Sequence, residues 1–343
     1  MTASALNLGR WEWFKLQRRW MPWILLGILL LFSQLSVWGG FLSYNALQSS
    51  GGSVALSSGT DAPGPGGQFQ TVSCNDLRSD PATAVPEGTP LEVIASLEAQ
   101  CRQQAGQRQA QLQQQYASFT LPGSLSSALG IAHSIGLVLL AVLTASVVGT
   151  DHGLGTLRPI MVRGTGRLAY LAGKFLVLIA AAAGAMLAVG IVTAASSLIA
   201  AGIAQTPSGT AGEASSFADA GIALGKTWAS FIPFIAFTGM VTVLTRSAAA
   251  GMAIGLGYYF AEGILIALLS ALFGWFEMVA GYLLIRNINA LAGGGFGFGP
   301  GGAGAGEIGL VQAGLVLAVY TAVLAVMAIG VFQHRDVTGA SGG

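Results

Sequence analysis

The sequence predicts an all-α integral membrane protein of six spanning helices, with the N- and C-termini both in the cytoplasm. Three observations predict it. Only 8% of residues are Asp, Glu, Lys or Arg, where a soluble domain carries roughly 25%, and 53% are hydrophobic. The charges are also gathered. None occurs from Trp20 to Thr60, Gln109 to Thr150, Phe175 to Gly212, Thr227 to Thr245 or Ile308 to His334, and a spanning helix needs about 20 mostly apolar residues. Lastly, Lys and Arg are asymmetric. With both ends inside, Arg10, Lys15, Arg18, Arg19, Arg158, Arg163, Arg167, Lys174, Arg246 and Arg335 are cytoplasmic. Arg78, Arg102, Arg108, Lys226 and Arg286 are left outside, the first three in a long loop to which the positive-inside rule hardly applies.

Taken in order, residues 1–20 form a cytoplasmic interface helix. Glu12 and Lys15 stand three apart, and Arg18, Arg19 and several aromatics suit a helix lying in the lipid headgroups. The first span, 21–44, stays apolar through Leu42 with no small-x-small cleavage site, so it is expected to be an uncleaved helix rather than a secretory signal. Further spans are expected at 125–148, 172–202, 228–245, 248–272 and 308–332. The third is long enough to tilt, and Gly251-x-x-x-Gly255 in the fifth offers a small face for close helix approach. A tail, 333–343, follows the sixth.

The loop 45–124 is expected to be an external subdomain. Residues 49–70, dominated by Gly, Ser and Pro, read as a flexible linker. Thr89-Pro90-Leu91-Glu92 is a capping box with Pro at the first helical position. Leu91, Ile94, Leu97, Cys101, Ala105, Leu112, Tyr116 and Phe119 then recur at helical spacing until Pro122-Gly123 stops the pattern. Cys74 and Cys101 are the only cysteines. On the external side a disulfide between them persists, with two free thiols as the alternative state. Residues 203–227 make a second external loop. Residues 273–307 are too polar and short to cross, with Glu277, Arg286, Asn287 and Asn289 interrupting the apolar run, and read as a re-entrant segment followed by a glycine-rich connector.

Few residues carry chemistry. Gly225-Lys226-Thr227 echoes a phosphate loop, but Ala220 stands where its leading glycine belongs, and no strand precedes it. Gly297-x-Gly299-x-x-Gly302 fits a dinucleotide pattern only because its surroundings are glycine. His133, His152 and His334 lack metal-ligand spacing, and there is no Gly-x-Ser-x-Gly elbow. No enzyme activity, metal or cofactor is expected on this chain, and a net charge of +1 gives no reason to expect nucleic acid. Glu262 is the one acid within an expected span. It either lines a substrate path or gate, or makes an interhelical hydrogen bond.

The segment 149–171 separates two long apolar runs. It reads Asp151, then Gly155-Thr156-Leu157-Arg158, Arg163 and Arg167, with Gly173-Lys174 opening the next helix. This pattern resembles the coupling segment of the type-two ABC permease family. Trp11-Glu12-Trp13-Phe14-Lys15-Leu16-Gln17-Arg18-Arg19 resembles that family's interface helix, and Phe332-Gln333-His334-Arg335-Asp336 its ending. With the six-span plan, the resemblance covers most of the chain. It departs from the family in having Asp151 where many members have Glu, and in Pro159, which interrupts the helical stretch after Arg158.

The resemblance implies the membrane subunit of an ABC transporter, an exporter by preference, in the cell membrane. Asp151, Gly155, Thr156, Leu157, Arg158 and Arg163 would meet a separate cytoplasmic ATPase, which holds the ATP and Mg. A second permease copy or paralogue would complete a dimer. The alternative role for the basic residues is to anchor the loop to anionic lipid. The alternative function is a non-transporting membrane scaffold that keeps the fold. A secondary transporter is disfavoured, because no repeated half and no pair of broken helices is visible.

Overall fold

The computed structural model describes residues 2–49, 53–56, 70–74, 91–153, 166–204, 214–293 and 308–334. Ten helices and two strands follow one another there. They are α1 (Thr2–Arg18), α2 (Trp20–Ser49), β1 (Ser53–Leu56), β2 (Gln70–Ser73), α3 (Leu91–Phe119) and α4 (Gly123–Gly153), then α5 (Arg167–Ile203), α6 (Ala214–Thr245), α7 (Ala248–Leu272), α8 (Phe276–Ala280), α9 (Leu284–Ala292) and α10 (Leu310–His334). Six of these, α2, α4, α5, α6, α7 and α10, are long and apolar enough to cross a membrane. Their outward faces carry large exposed apolar residues, among them Leu35, Ile191, Leu268 and Val319. Such a surface is stable in lipid and not in water, so the chain is a multi-pass membrane protein.

The six are not equivalent. Within their most apolar windows, α4 is 67% buried and α6 72%, against 22–28% for the other four. The pair α4 and α6 forms the axis of the bundle, and the others wrap it. The fifth span's glycines serve this packing inside the chain. A Cβ on Gly255 would stand 3.1 Å from the Thr238 hydroxyl of α6 and 3.4 Å from Ala141 of α4, and one on Gly251 3.2 Å from Ala145. At the same end, a Cβ on Gly149 would fall 2.6 Å from the Ala248 Cα, so α4 and α7 cross there at backbone contact. The α6–α7 turn is only Arg246-Ser247. Arg246 takes φ +54°, and the Ser247 hydroxyl caps α7 by accepting from the Ala250 N–H at 3.3 Å.

Several expected boundaries shift. The linker 49–70 contains β1 and the first residue of β2, paired antiparallel from Ser53↔Ser73 to Leu56↔Gln70. Val54 and Leu56 give the strand its character, which the surrounding Gly and Ser residues mask in composition. The membrane-crossing part is all-helical, so this ladder is an addition to the expected all-α plan. Cys74 follows β2 directly and stands at disulfide distance from Cys101 of α3, Cα–Cα 5.6 Å. In turn, α3 lies on α2 through Phe41–Phe119 and Tyr44–Tyr116 ring contacts at 5.8 and 6.2 Å, and Arg108 donates to the Leu47 carbonyl.

The fourth apolar helix begins at Ala214 rather than 228, so the expected loop 203–227 is helical over its second half. Asp219 and Lys226 break the apolar run but not the helix. Gly225-Lys226-Thr227 therefore stands inside α6, where its N–H groups are committed to helical bonds and cannot cradle a phosphate. The segment 273–307 holds two short helices, α8 and α9, and α9 ends on Gly293 at φ +88°. The glycine-rich connector beyond it lies outside the described residues.

Candidate functional site

Four charged side chains and a tyrosine gather where α4 ends and α5 begins. Tyr170 and Lys174 are one turn apart on α5, hence on one face. Both are almost wholly buried, each at 2% exposure. The Lys174 ammonium, with three hydrogens to give, lies 2.7 Å from Asp151 Oδ2, 2.6 Å from the Val147 carbonyl and 3.8 Å from Glu12 Oε2. The Tyr170 hydroxyl donates to the same Asp151 oxygen. Glu12 also accepts from Lys15 at 3.0 Å. Two carboxylates face two ammonium groups, so the cluster is electrically balanced.

Its members come from distant parts of the chain. Glu12 and Lys15 belong to α1, and Asp151 and Val147 to the last turns of α4. The Tyr170 ring stacks on Phe332 of α10 at 6.1 Å, and Arg19, at the corner between α1 and α2, donates to the Thr150 hydroxyl at 3.3 Å. The corner is fixed by the Trp23 indole donating to the Gln17 carbonyl at 2.9 Å. The amphipathic helix is thus tied to the helix end that precedes the basic segment and to the helix start that follows it.

Against the sequence-derived candidates, the structure brings Glu12, Lys15, Arg19 and Asp151 together. Arg18 lies over the Phe14 ring at 4.4 Å, exposed and apart from the cluster. Asp151 turns inward, its carboxylate held by Lys174 and Tyr170. Gly155, Thr156, Leu157, Arg158 and Arg163 lie outside the described residues. In the sequence Lys174 stands only as the basic edge of a segment, and nothing marks Tyr170. The available signal for both was the spacing, a lysine four residues after a tyrosine on the face that starts an apolar helix.

A second polar site stands at the other end of the bundle. The Glu262 carboxylate accepts from the backbone N–H groups of Ile285 at 2.9 Å and Arg286 at 2.8 Å. These belong to the first turn of α9, where N–H groups have no partner within the helix, and Leu283 at the N-cap supplies no side-chain bond. Glu262 is therefore a cap donated by another helix, and its charge meets the positive end of the α9 dipole. Of the two readings open for Glu262, the contact found is a hydrogen bond between elements. Beside it, His133 Nε2 meets Asn289 Oδ1 at 3.1 Å, and His133 Nδ1 meets the Ser230 hydroxyl at 3.3 Å.

Among the described residues there is no group of three His, Cys, Asp or Glu able to hold a metal ion. A family model described as a protein of unknown function, DUF2705, matches residues 107–338. The matched span takes in Asp151, Tyr170, Lys174 and Glu262, and begins after Glu12 and Lys15. No curated protein and no solved structure matches the chain.

Proposed function

The chain belongs to the DUF2705 family, a family of unknown function, and from the sequence resemblance and the Lys174 cluster we propose that it is the membrane-spanning permease subunit of an ABC exporter in the cytoplasmic membrane. Both termini and the segment 154–165 face the cytoplasm, and the β1–β2 ladder with α3 lies outside. ATP and Mg are held by a separate ATPase, and a second copy or paralogue of this chain completes the path.

The observation that supports this reading is the Lys174 cluster. The segment that carries Gly155, Thr156, Leu157, Arg158 and Arg163 begins just after Asp151 and ends just before Tyr170 and Lys174. Lys174–Asp151 at 2.7 Å closes that loop at its base, and Glu12 and Arg19 bind the base to α1. A loop that must carry a push from a partner into the membrane needs a stiff base, because a compliant one would absorb the motion. Asp151 acts as a positioning residue in this scheme, and Arg158 and Arg163 remain to meet the ATPase. The charge-assisted contacts suit a carboxylate surface on the partner.

Purification of the tagged chain from its native membrane, followed by Mg-ATP hydrolysis of the eluate, tests the assignment. An ABC ATPase should co-elute, and Arg158→Glu should detach it or uncouple its hydrolysis while the permease still inserts. Arg167→Glu, nearer the lipid, should be milder. If no ATPase co-elutes, or both reversals leave binding and hydrolysis unchanged, the permease reading falls and a scaffold role takes its place.

A further inference from the structure

A partly open cavity of about 180 Å³ lies between α1, α2, α4 and α5. Its walls include Leu26 and Leu29 of α2, Leu140 of α4 and Met186 of α5, and Phe231 of α6 joins them. Met186 and Phe231 are buried deepest, each at 1% exposure, while Trp13, Gln17 and Trp23 of the lining are exposed. A Cβ on Gly136 would stand 3.0 Å from Phe231 Cζ. The ring therefore lies directly against the α4 main chain, and an aromatic side chain forms the deep end.

Size limits what this space can hold. Along α4 the lining runs only from Gly136 to Leu143, about 10 Å at 1.5 Å per residue. Sites for drug-sized molecules run to about 300–1,000 Å³, and the chains of one leaflet are about 15 Å deep. Both are too large. A cavity of about 150 Å³ lined by Leu, Ile and Phe stays dry and takes benzene, so the volume here is that of one ring with a small substituent. A rigid ring also loses little conformational freedom on entering, where a flexible chain loses more.

The lining limits the chemistry as well. No Asp, Glu, Lys, Arg or His lines the cavity, so a charged ring would give up its water with nothing to replace it. The Trp23 indole is committed to the Gln17 carbonyl at 2.9 Å. Gln17 supplies the one side-chain amide among the lining residues, a group that can both donate and accept. It stands at the exposed end, opposite the Phe231 ring, which favours a second ring at an offset or edge-on.

We propose that this cavity binds a single-ring, uncharged aromatic molecule of the size of benzene or phenol, its ring toward Phe231 and a hydroxyl substituent toward Gln17. The inference needs only that the chain spans a membrane, and it stands whether or not an ATPase partner exists. A bound ring packs α1 and α2 against α4 and α5.

The test uses the full-length protein in phosphatidylcholine nanodiscs with 3-trifluoromethyl-3-phenyldiazirine, a single-ring photoprobe. After irradiation, phenol should displace the adducts on peptides containing Leu139–Leu143 and Ala181–Met186, and not those on the outward faces of α7 and α10. Gly184 lines the cavity, and a Cβ there would meet nothing within 4 Å. Gly184→Leu should therefore fill the space and cut the displaceable adducts about tenfold. Ala181→Leu carries the same test if that variant inserts poorly. Gly257→Leu, on the exposed face of α7 with equally open space, should leave them unchanged. Gln17→Leu should weaken displacement by phenol about three- to tenfold and leave displacement by benzene as it was. Adducts that phenol does not displace, or that survive both filling variants, would mean adsorption to apolar faces only and overturn the site. Heptane displacing the probe as well as benzene does would give the space to lipid chains and overturn the ring as its occupant. Benzoate competing as well as phenol would overturn the uncharged class.

Discussion

Lys174 and Glu262 are both buried charged side chains in helices apolar enough to cross a membrane, yet each is satisfied differently. Lys174 is held by side chains, Asp151 at 2.7 Å and Glu12 at 3.8 Å, with one carbonyl besides. Glu262 is held chiefly by main chain, two N–H groups of a short helix only a little further along the sequence, with the Tyr258 hydroxyl of its own helix beside them. His133, beside the second site, and Asp151, in the first, are about 27 Å apart along α4. One end of the bundle is thus closed by ion pairs between remote elements, and the other by a carboxylate that turns the chain back on itself. The first arrangement ties α1, α4, α5 and α10 to one another. The second fixes a local shape.

Removing the cation should break this contrast most visibly. Lys174→Met leaves the Asp151 carboxylate buried without its cation, and unpairing a buried ion costs about 3–5 kcal/mol. The melting temperature of the detergent-purified protein should fall sharply, and α1 should become cleavable by protease. Lys174→Met/Asp151→Leu should recover much of the loss, since replacing both ions by apolar groups is often neutral. A double variant as unstable as the single would show that the pair is not a unit.

At the other site, Glu262→Ala should cost about 1–3 kcal/mol, the penalty for leaving buried donors unsatisfied. Glu262→Gln keeps an acceptor oxygen and should lose less. The damage should appear as faster hydrogen exchange at Ile285 and Arg286, with α1 unaffected. Exchange that spreads to α1 would erase the distinction between the two ends. The smallest effect is expected at Glu12→Gln. Glu12 lies 3.8 Å from Lys174, and its closer partner, Lys15, is partly exposed, so the change should cost roughly 0.2–1 kcal/mol. A loss as large as that of Lys174→Met would make Glu12, not Asp151, the main counter-ion.

The sequence carried the apolar helices well because length without charge is a property of a single segment. The helix from Leu91 was equally legible in its apolar spacing, while Thr89 and Pro90 of the expected capping box lie outside the described residues. Asp219 and Lys226 obscured the first turns of α6, because two charges in a helix of 32 residues resemble a loop when only hydropathy is read. Glycine and serine around Ser53–Leu56 obscured β1 in the same way. Sequence marked Glu12, Lys15, Arg19 and Asp151 as members of two separate segments. That Lys174 joins Glu12 to Asp151 depends on α1 folding back along α5, which no local pattern records. Tyr170 was missed for the same reason, since a tyrosine at a helix start looks like an interfacial anchor until its acceptor is known. Glu262 shows as an oddity in an apolar run, but apart from Tyr258 its partners are main-chain N–H groups, to which any sequence contributes alike.

The tie between α1 and α5 also sets an order of assembly on the ribosome. Glu12 is synthesised long before Lys174, and the N-terminal part of a chain is available first. Until α5 is made, α1 lacks both Lys174 and the helix it lies on, and its exposed Trp11, Trp13 and Phe14 would keep it at the membrane surface. The helix α10 is made later still, and only then does Phe332 reach the Tyr170 ring. A helix made before α5 is therefore among those that wait longest for their final place, and a nascent chain halted before Lys174 should leave α1 open to protease.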